Sequence, residues 1–178
     1  MDKNSVAARV SCDPYTIETD DGEYLEFIPC KTGNMVLTVW EKMNDMIDEQ
    51  LKVYPRQSKS LLLNTLLSKE PTQFPFERLW IIFLKGSVVG FVHTRIEVEE
   101  TEPPVLWLHL INVYKKKTYK SDLTKHGITF LKEYVMDLRQ TYNYPIKEII
   151  AFSTRKGGEK LFTSMGFEKG LVQYIYEV

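Results

Sequence analysis

Residues 105–138 read VLWLHLINVYKKKTYKSDLTKHGITFLKEYVMDL, and three textures follow one another along that stretch. Val105 to Val113 is a nearly continuous apolar run, as in a strand buried on both faces. Lys115–Lys116–Lys117–Thr118–Tyr119–Lys120 is a basic turn. From there Leu123, Phe130, Leu131, Tyr134, Val135 and Leu138 fall at the spacing of a helix with one buried face. A buried strand that feeds a helix through a basic turn aims free backbone N–H groups and the positive dipole end at one point, which suits a phosphate. Lys115, Lys117, Lys120 and Lys125 can add charge to those amides. The stretch reads as a cofactor site with the other elements arranged around it.

Working outward, Leu79 to Leu84 predicts a buried strand, Lys85–Gly86–Ser87 a turn, and Val88 to Val98 an antiparallel return strand. Glu97 to Pro104 is a charged connection into the Val105 strand. Further upstream, Ile17 to Ile28 alternates around Asp20–Asp21–Gly22. That predicts a small hairpin or a turn into a first strand, Tyr24–Ile28. Gly33–Asn34 opens a helix with Val36, Val39, Trp40, Met43, Ile47 and Leu51 on one face, stopped by Tyr54–Pro55. Ser58 or Ser60 caps a second helix that ends at Pro71. Residues 1–13 read as a loose arm. Downstream, Ile146 to Phe152 is a strand, and Gly157–Gly158 opens a short helix ending at Met165–Gly166–Phe167, with Gly166 as its C′ residue. A last strand lies around Val172 to Tyr176. An antiparallel meander thus flows into a βαβ crossover. The expected class is α/β (α+β): a mixed, mostly antiparallel central sheet of about six to seven strands flanked by about four helices, in a single domain over 1–178.

The chain has 178 residues, 43% hydrophobic and 26% charged, enough for one sizeable core. A net charge of -1 argues against a dedicated nucleic-acid binder. Two cysteines, Cys12 and Cys30, are too few for a disulfide framework and read as inert thiols in a reducing compartment. No apolar run has the length of a membrane span, and MDKNSVAARV lacks the apolar core of a signal peptide. The chain is expected to be soluble and cytoplasmic.

This order of elements, with a basic turn after the Val105 strand, resembles the GNAT superfamily of acyl-CoA N-acyltransferases. Three stretches carry the resemblance. The hairpin Leu79–Val98, with Val88–Val89–Gly90–Phe91, looks like the family's second and third strands. Val105–Leu138 looks like its fourth strand, pyrophosphate loop and third helix. Gly158–Phe167 looks like its late helix ending in a Gly-Phe pair. The family's loop reads Gln/Arg-x-x-Gly-x-Gly/Ala, and two registers fit it here. Counting from the strand end places the motif on Thr118, Ser121 and Leu123, with Ser121 or Asp122 as helix cap. Counting back from the helix end places it on Thr124, Gly127 and Thr129. The first is preferred because it keeps the strand-to-loop spacing.

The resemblance implies that an acceptor amine attacks the thioester of acetyl-CoA directly, with a base for the ammonium proton and an acid for the leaving thiolate. It implies that backbone at Ile111, Asn112 and Val113 pairs with the cofactor arm. Phe162 stands where the family usually has the acid tyrosine, so it would pack against the cofactor arm or the core, with Tyr114 and Tyr119 as reserve acids. His109, which interrupts an apolar strand, is the first candidate base, and Glu97 the second. The face of His93 is undecided by pattern, and His126, at the helix start, reads as a surface histidine within reach of phosphate.

The implied function is transfer of an acetyl group from acetyl-CoA to a primary amine. The acceptor would be a small molecule or a peptide or protein amine, with no metal, no membrane partner and no nucleic acid. The alternative is a catalytically degenerate module that binds CoA or a protein. The acids Glu97, Glu99, Glu100 and Glu102 could favour a cationic acceptor or form a solvated loop. Family members often pair through C-terminal strands, and Leu171–Val178 is apolar enough for a homodimer.

Overall fold

The structure is a computed structural model that describes residues 13–30, 32–53, 59–60, 77–99, 105–115, 123–141, 143–151 and 158–170. For residues 43, 46, 49–53, 77, 97–99 and 105–115 it describes the backbone. The second helix expected after Ser58 lies almost entirely outside the described residues, as does the last strand around Val172.

Among the described residues six strands form one sheet in chain order: β1 (Tyr15–Glu18), β2 (Tyr24–Pro29), β3 (Glu77–Leu84), β4 (Ser87–Glu99), β5 (Val105–Lys115) and β6 (Ile146–Ala151). Every neighbouring pair is antiparallel except β5–β6, which is parallel. Three helices accompany it among the described residues: α1 (Gly33–Val53), α2 (Leu123–Gln140) and α3 (Gly158–Ser164). The described sheet is therefore mixed and mostly antiparallel, with β5–α2–β6 as a parallel crossover.

The turns follow from their residues. Lys85 and Gly86 join β3 to β4 with φ of 49° and 74°, the paired positive angles of a type I′ hairpin. Gly22 takes φ 74° in the β1–β2 turn, where its N–H donates to Thr19 O at 2.9 Å. At the end of α3, Phe167 N–H donates to Phe162 O and Gly166 N–H to Thr163 O, both at 3.0 Å. With Gly166 at φ 86°, this is the Schellman pair of bonds expected of a C′ glycine.

The sheet has a core on each face. On one side α2 contributes Leu123, Ile128, Phe130, Leu131, Tyr134 and Leu138 against Leu25, Phe27, Trp80, Ile82 and Val92. Phe130 stacks on Phe27 with centroids 4.4 Å apart and meets Trp80 edge-on at 4.9 Å. Trp80 Nε1 donates to Thr94 Oγ1 at 3.1 Å, so the buried indole is satisfied within the sheet. On the other side Val36, Val39, Trp40 and Ile47 of α1 cover Leu79, Ile81 and Phe91. Two tethers join α2 to the first hairpin. Lys125 Nζ bonds both carboxylate oxygens of Asp20 at 2.8 Å. Tyr15 Oη donates to Asp137 Oδ2 at 2.7 Å.

Candidate functional site

β5 is where the sheet changes character. Along β4 its register runs His93↔Asn112 and then Thr94↔Leu110, so Ile111 is an extra residue, a β-bulge. Along β6 the pairing runs from Leu106↔Ile146 to Leu110↔Ala151. The described pairs with β6 end at Leu110↔Ala151, the last described residue before 158, and β5 runs on to Lys115 beside β4. The bulge falls on the residue after Leu110.

The start of α2 lies at the same end of the sheet. β1 runs parallel to β5 through four antiparallel steps, so the Asp20 turn after β1 and the end of β5 share one edge. Lys125, in the first turn of α2, reaches that turn. A helix leaves its first amides without an intrahelical partner, and its dipole is positive there. The end of β5 and the described start of α2 are therefore joined by residues 116–122 alone.

The residues singled out in the sequence distribute as follows. Ile111 is the bulge, Asn112 pairs with His93, and Val113 pairs with Val92. His109 pairs with Arg95 on β4 and Ile150 on β6, inside the doubly paired part of β5. Glu97 pairs with Trp107, further from the bulge. Lys117, Thr118, Lys120, Ser121 and Asp122 lie outside the described residues. Leu123 opens α2 and its side chain is fully buried. Gly127 is buried in the second turn, with its amide already inside the helical ladder. Lys125 is engaged with Asp20. The hydrogen bond and charge of Lys125 hold the Asp20 carboxyl below its usual range, with a smaller contribution from His126, against some desolvation. Phe162 is half-buried, packs on the α2-side core and meets Phe167 edge-on at 5.2 Å.

His126 is corrected. It is not a surface histidine: it is 3% exposed, and its Nε2 has no hydrogen-bond partner among the described residues. It lies on the buried stripe with Leu123, Gly127 and Phe130, a three- and four-residue spacing that was present in the sequence. His93 gains in interest. It is 2% exposed and sits on β4 beside the slip in register. Its cross-strand partner on β3 is Leu79, which belongs to the core beneath α1. Cys30, at the end of β2, has its thiol pushed up to about 12 by burial. Among the described residues no group of three or more His, Cys, Asp or Glu could hold a metal ion, and no helix is long and apolar enough to cross a membrane.

No protein-family model matches the chain, and no curated protein matches it. Solved structures do. A possible acetyltransferase from Clostridium difficile 630 is 16% identical, with a TM-score of 0.58 over 86% of this chain and 97% of that one. A ribosomal-protein-alanine N-acetyltransferase from Brucella melitensis biovar Abortus 2308 is 13% identical, with a TM-score of 0.58 over 86% of this chain and 99% of that one. An aminoglycoside N-acetyltransferase in complex with CoA is 13% identical, with a TM-score of 0.56 over 88% of this chain and 96% of that one. At these identities the likeness shows the fold, which is that of the GNAT acetyltransferases.

Proposed function

We propose, from the GNAT fold and the bulge in β5, that the protein transfers an acetyl group from acetyl-CoA to a primary amine. The observation that carries the reading is the bulge at Ile111, opposite the step from His93 to Thr94 on β4. The pantetheine arm of CoA is extended and carries two amides, so it can pair with β5 from Ile111 to Val113 as an added strand. The thioester carbonyl then lies beside the bulge, where an amide released from the ladder can stabilise the oxygen as charge develops on it. The pyrophosphate goes to the turn before α2. Gly127 lies inside the described helix, too far in to offer a free amide, which favours the register on Thr118, Ser121 and Leu123. Lys117, Lys120 and Lys125 supply charge, and Lys125 would share itself between phosphate and Asp20.

The amine attacks the carbonyl carbon, the C–N bond forms and the C–S bond breaks. His109 and Glu97 are sequence-derived candidates for the proton. Phe162 has no proton to give the departing thiolate, so that proton comes from solvent or another group. The same phenylalanine favours a second reading, a CoA-binding module without turnover. Calorimetry with acetyl-CoA, on wild type and on a variant with Lys117, Lys120 and Lys125 changed to Ala, tests the cofactor site. Micromolar binding that weakens clearly in the variant is expected. A panel of amines, including aminoglycosides and peptide N-termini, then separates the readings. Binding with no turnover supports the module, and no binding overturns both.

A further inference from the structure

One titratable side chain is buried beside the β5 bulge on the face turned towards α1. His93 is the last β4 residue before the register slips, and its partner Asn112 directly follows the bulged Ile111. We propose that His93 is the base that takes the proton from the acceptor's ammonium group, an inference that rests on the acetyl-transfer reading.

Its place in the sheet argues for it. Val92, the partner of Val113, faces the core under α2, so the next residue along β4 takes the opposite face. That face carries His93, in line with Phe91 along β4 and beside Leu79 across β3. Among the described residues, α1 brings Val36, Val39, Trp40 and Ile47 to the hydrophobic core on this face. Arg95 is next along the same face of β4. Imidazole is the side chain whose ordinary titration lies near neutral pH.

The step balances as follows. The ammonium proton passes to a ring nitrogen of His93, and the freed lone pair attacks the thioester carbonyl carbon. The C–N bond forms, and the C–S bond breaks with its electron pair on sulfur. The second N–H proton of the acceptor reaches the thiolate through solvent.

The test uses the full chain with the best acceptor found for wild type. His93→Gln and His93→Ala are expected to keep acetyl-CoA affinity within about twofold while kcat falls by about 100-fold or more, the usual range for loss of a general base. Added imidazole is expected to restore part of the activity of His93→Ala. His109→Gln is expected to fall less than His93→Gln. A reading that needs no His93 variant comes from the ring resonances of the three histidines in labelled wild type. Acetyl-CoA with the acceptor is expected to shift those of His93. The proposal is overturned if His93→Gln turns over within threefold of wild type, or if only His109 or His126 responds in the wild-type spectra. A wild type that acetylates no amine removes the acetyl-transfer reading itself, which is a separate result.

Discussion

Phe130 is fully buried and stacked on Phe27, with Trp80 and Tyr15 edge-on around it. Truncating such a ring loses its transfer energy and leaves a cavity, so Phe130→Ala is expected to cost about 3–5 kcal/mol, read from urea unfolding. Cys30 gives a pH dependence. Its thiol is raised from 9.0 to about 12 by burial, so folding favours the neutral form. Stability from that preference is complete below pH 9 and is lost as pH rises towards 12. Cys30→Ala is therefore expected to lose less stability between pH 9 and 11 than wild type, measured by urea midpoints across that range. At this scale the sequence was legible where a residue had an unambiguous period. Phe130 and Leu131 were placed in the core by helical spacing. His126 has the same spacing, but its polarity suggested the surface. His93 was undecidable because Val92 and Thr94, on the opposite face, are as well buried as His93 itself.

At the scale of elements, hairpins and caps were legible because turn chemistry is local. Lys85–Gly86 and Met165–Gly166–Phe167 both sit where their glycines suggested. Gly166 has φ 86°, and a Cβ added there would meet nothing within 4 Å. Gly166→Ala therefore acts through backbone strain alone, about 1–2 kcal/mol. A fall in Tm of about 2–8 °C in calorimetry would match that cost. The bulge was not legible. A slip in register shows as a break in alternation, and Val105–Val113 is apolar on both faces, with no alternation to break.

At the scale of the molecule, the chain order of the sheet made the topology readable, because each strand lies beside its predecessor. The expected basic end sits on a chain of net charge -1, so attraction for an anionic cofactor is local. Acetyl-CoA affinity is expected to weaken as salt rises from 0.05 to about 0.5 M, and less so in the triple-lysine variant. Unchanged affinity across that range would remove the lysines from the site. The two tethers of α2 bear on a different kind of measurement. Among the described residues β1 is a four-residue strand at the edge of the sheet, and such an edge frays unless something else holds it. Asp20–Lys125 and Tyr15–Asp137 hold its two ends to the helix. An anion that draws Lys125 from Asp20 would release one of those ends, on the edge of the sheet furthest from β6. Deuterium uptake at Thr16–Glu18 is then expected to rise on adding acetyl-CoA while uptake in the first turns of α2 falls, so that filling one edge of the sheet loosens the other.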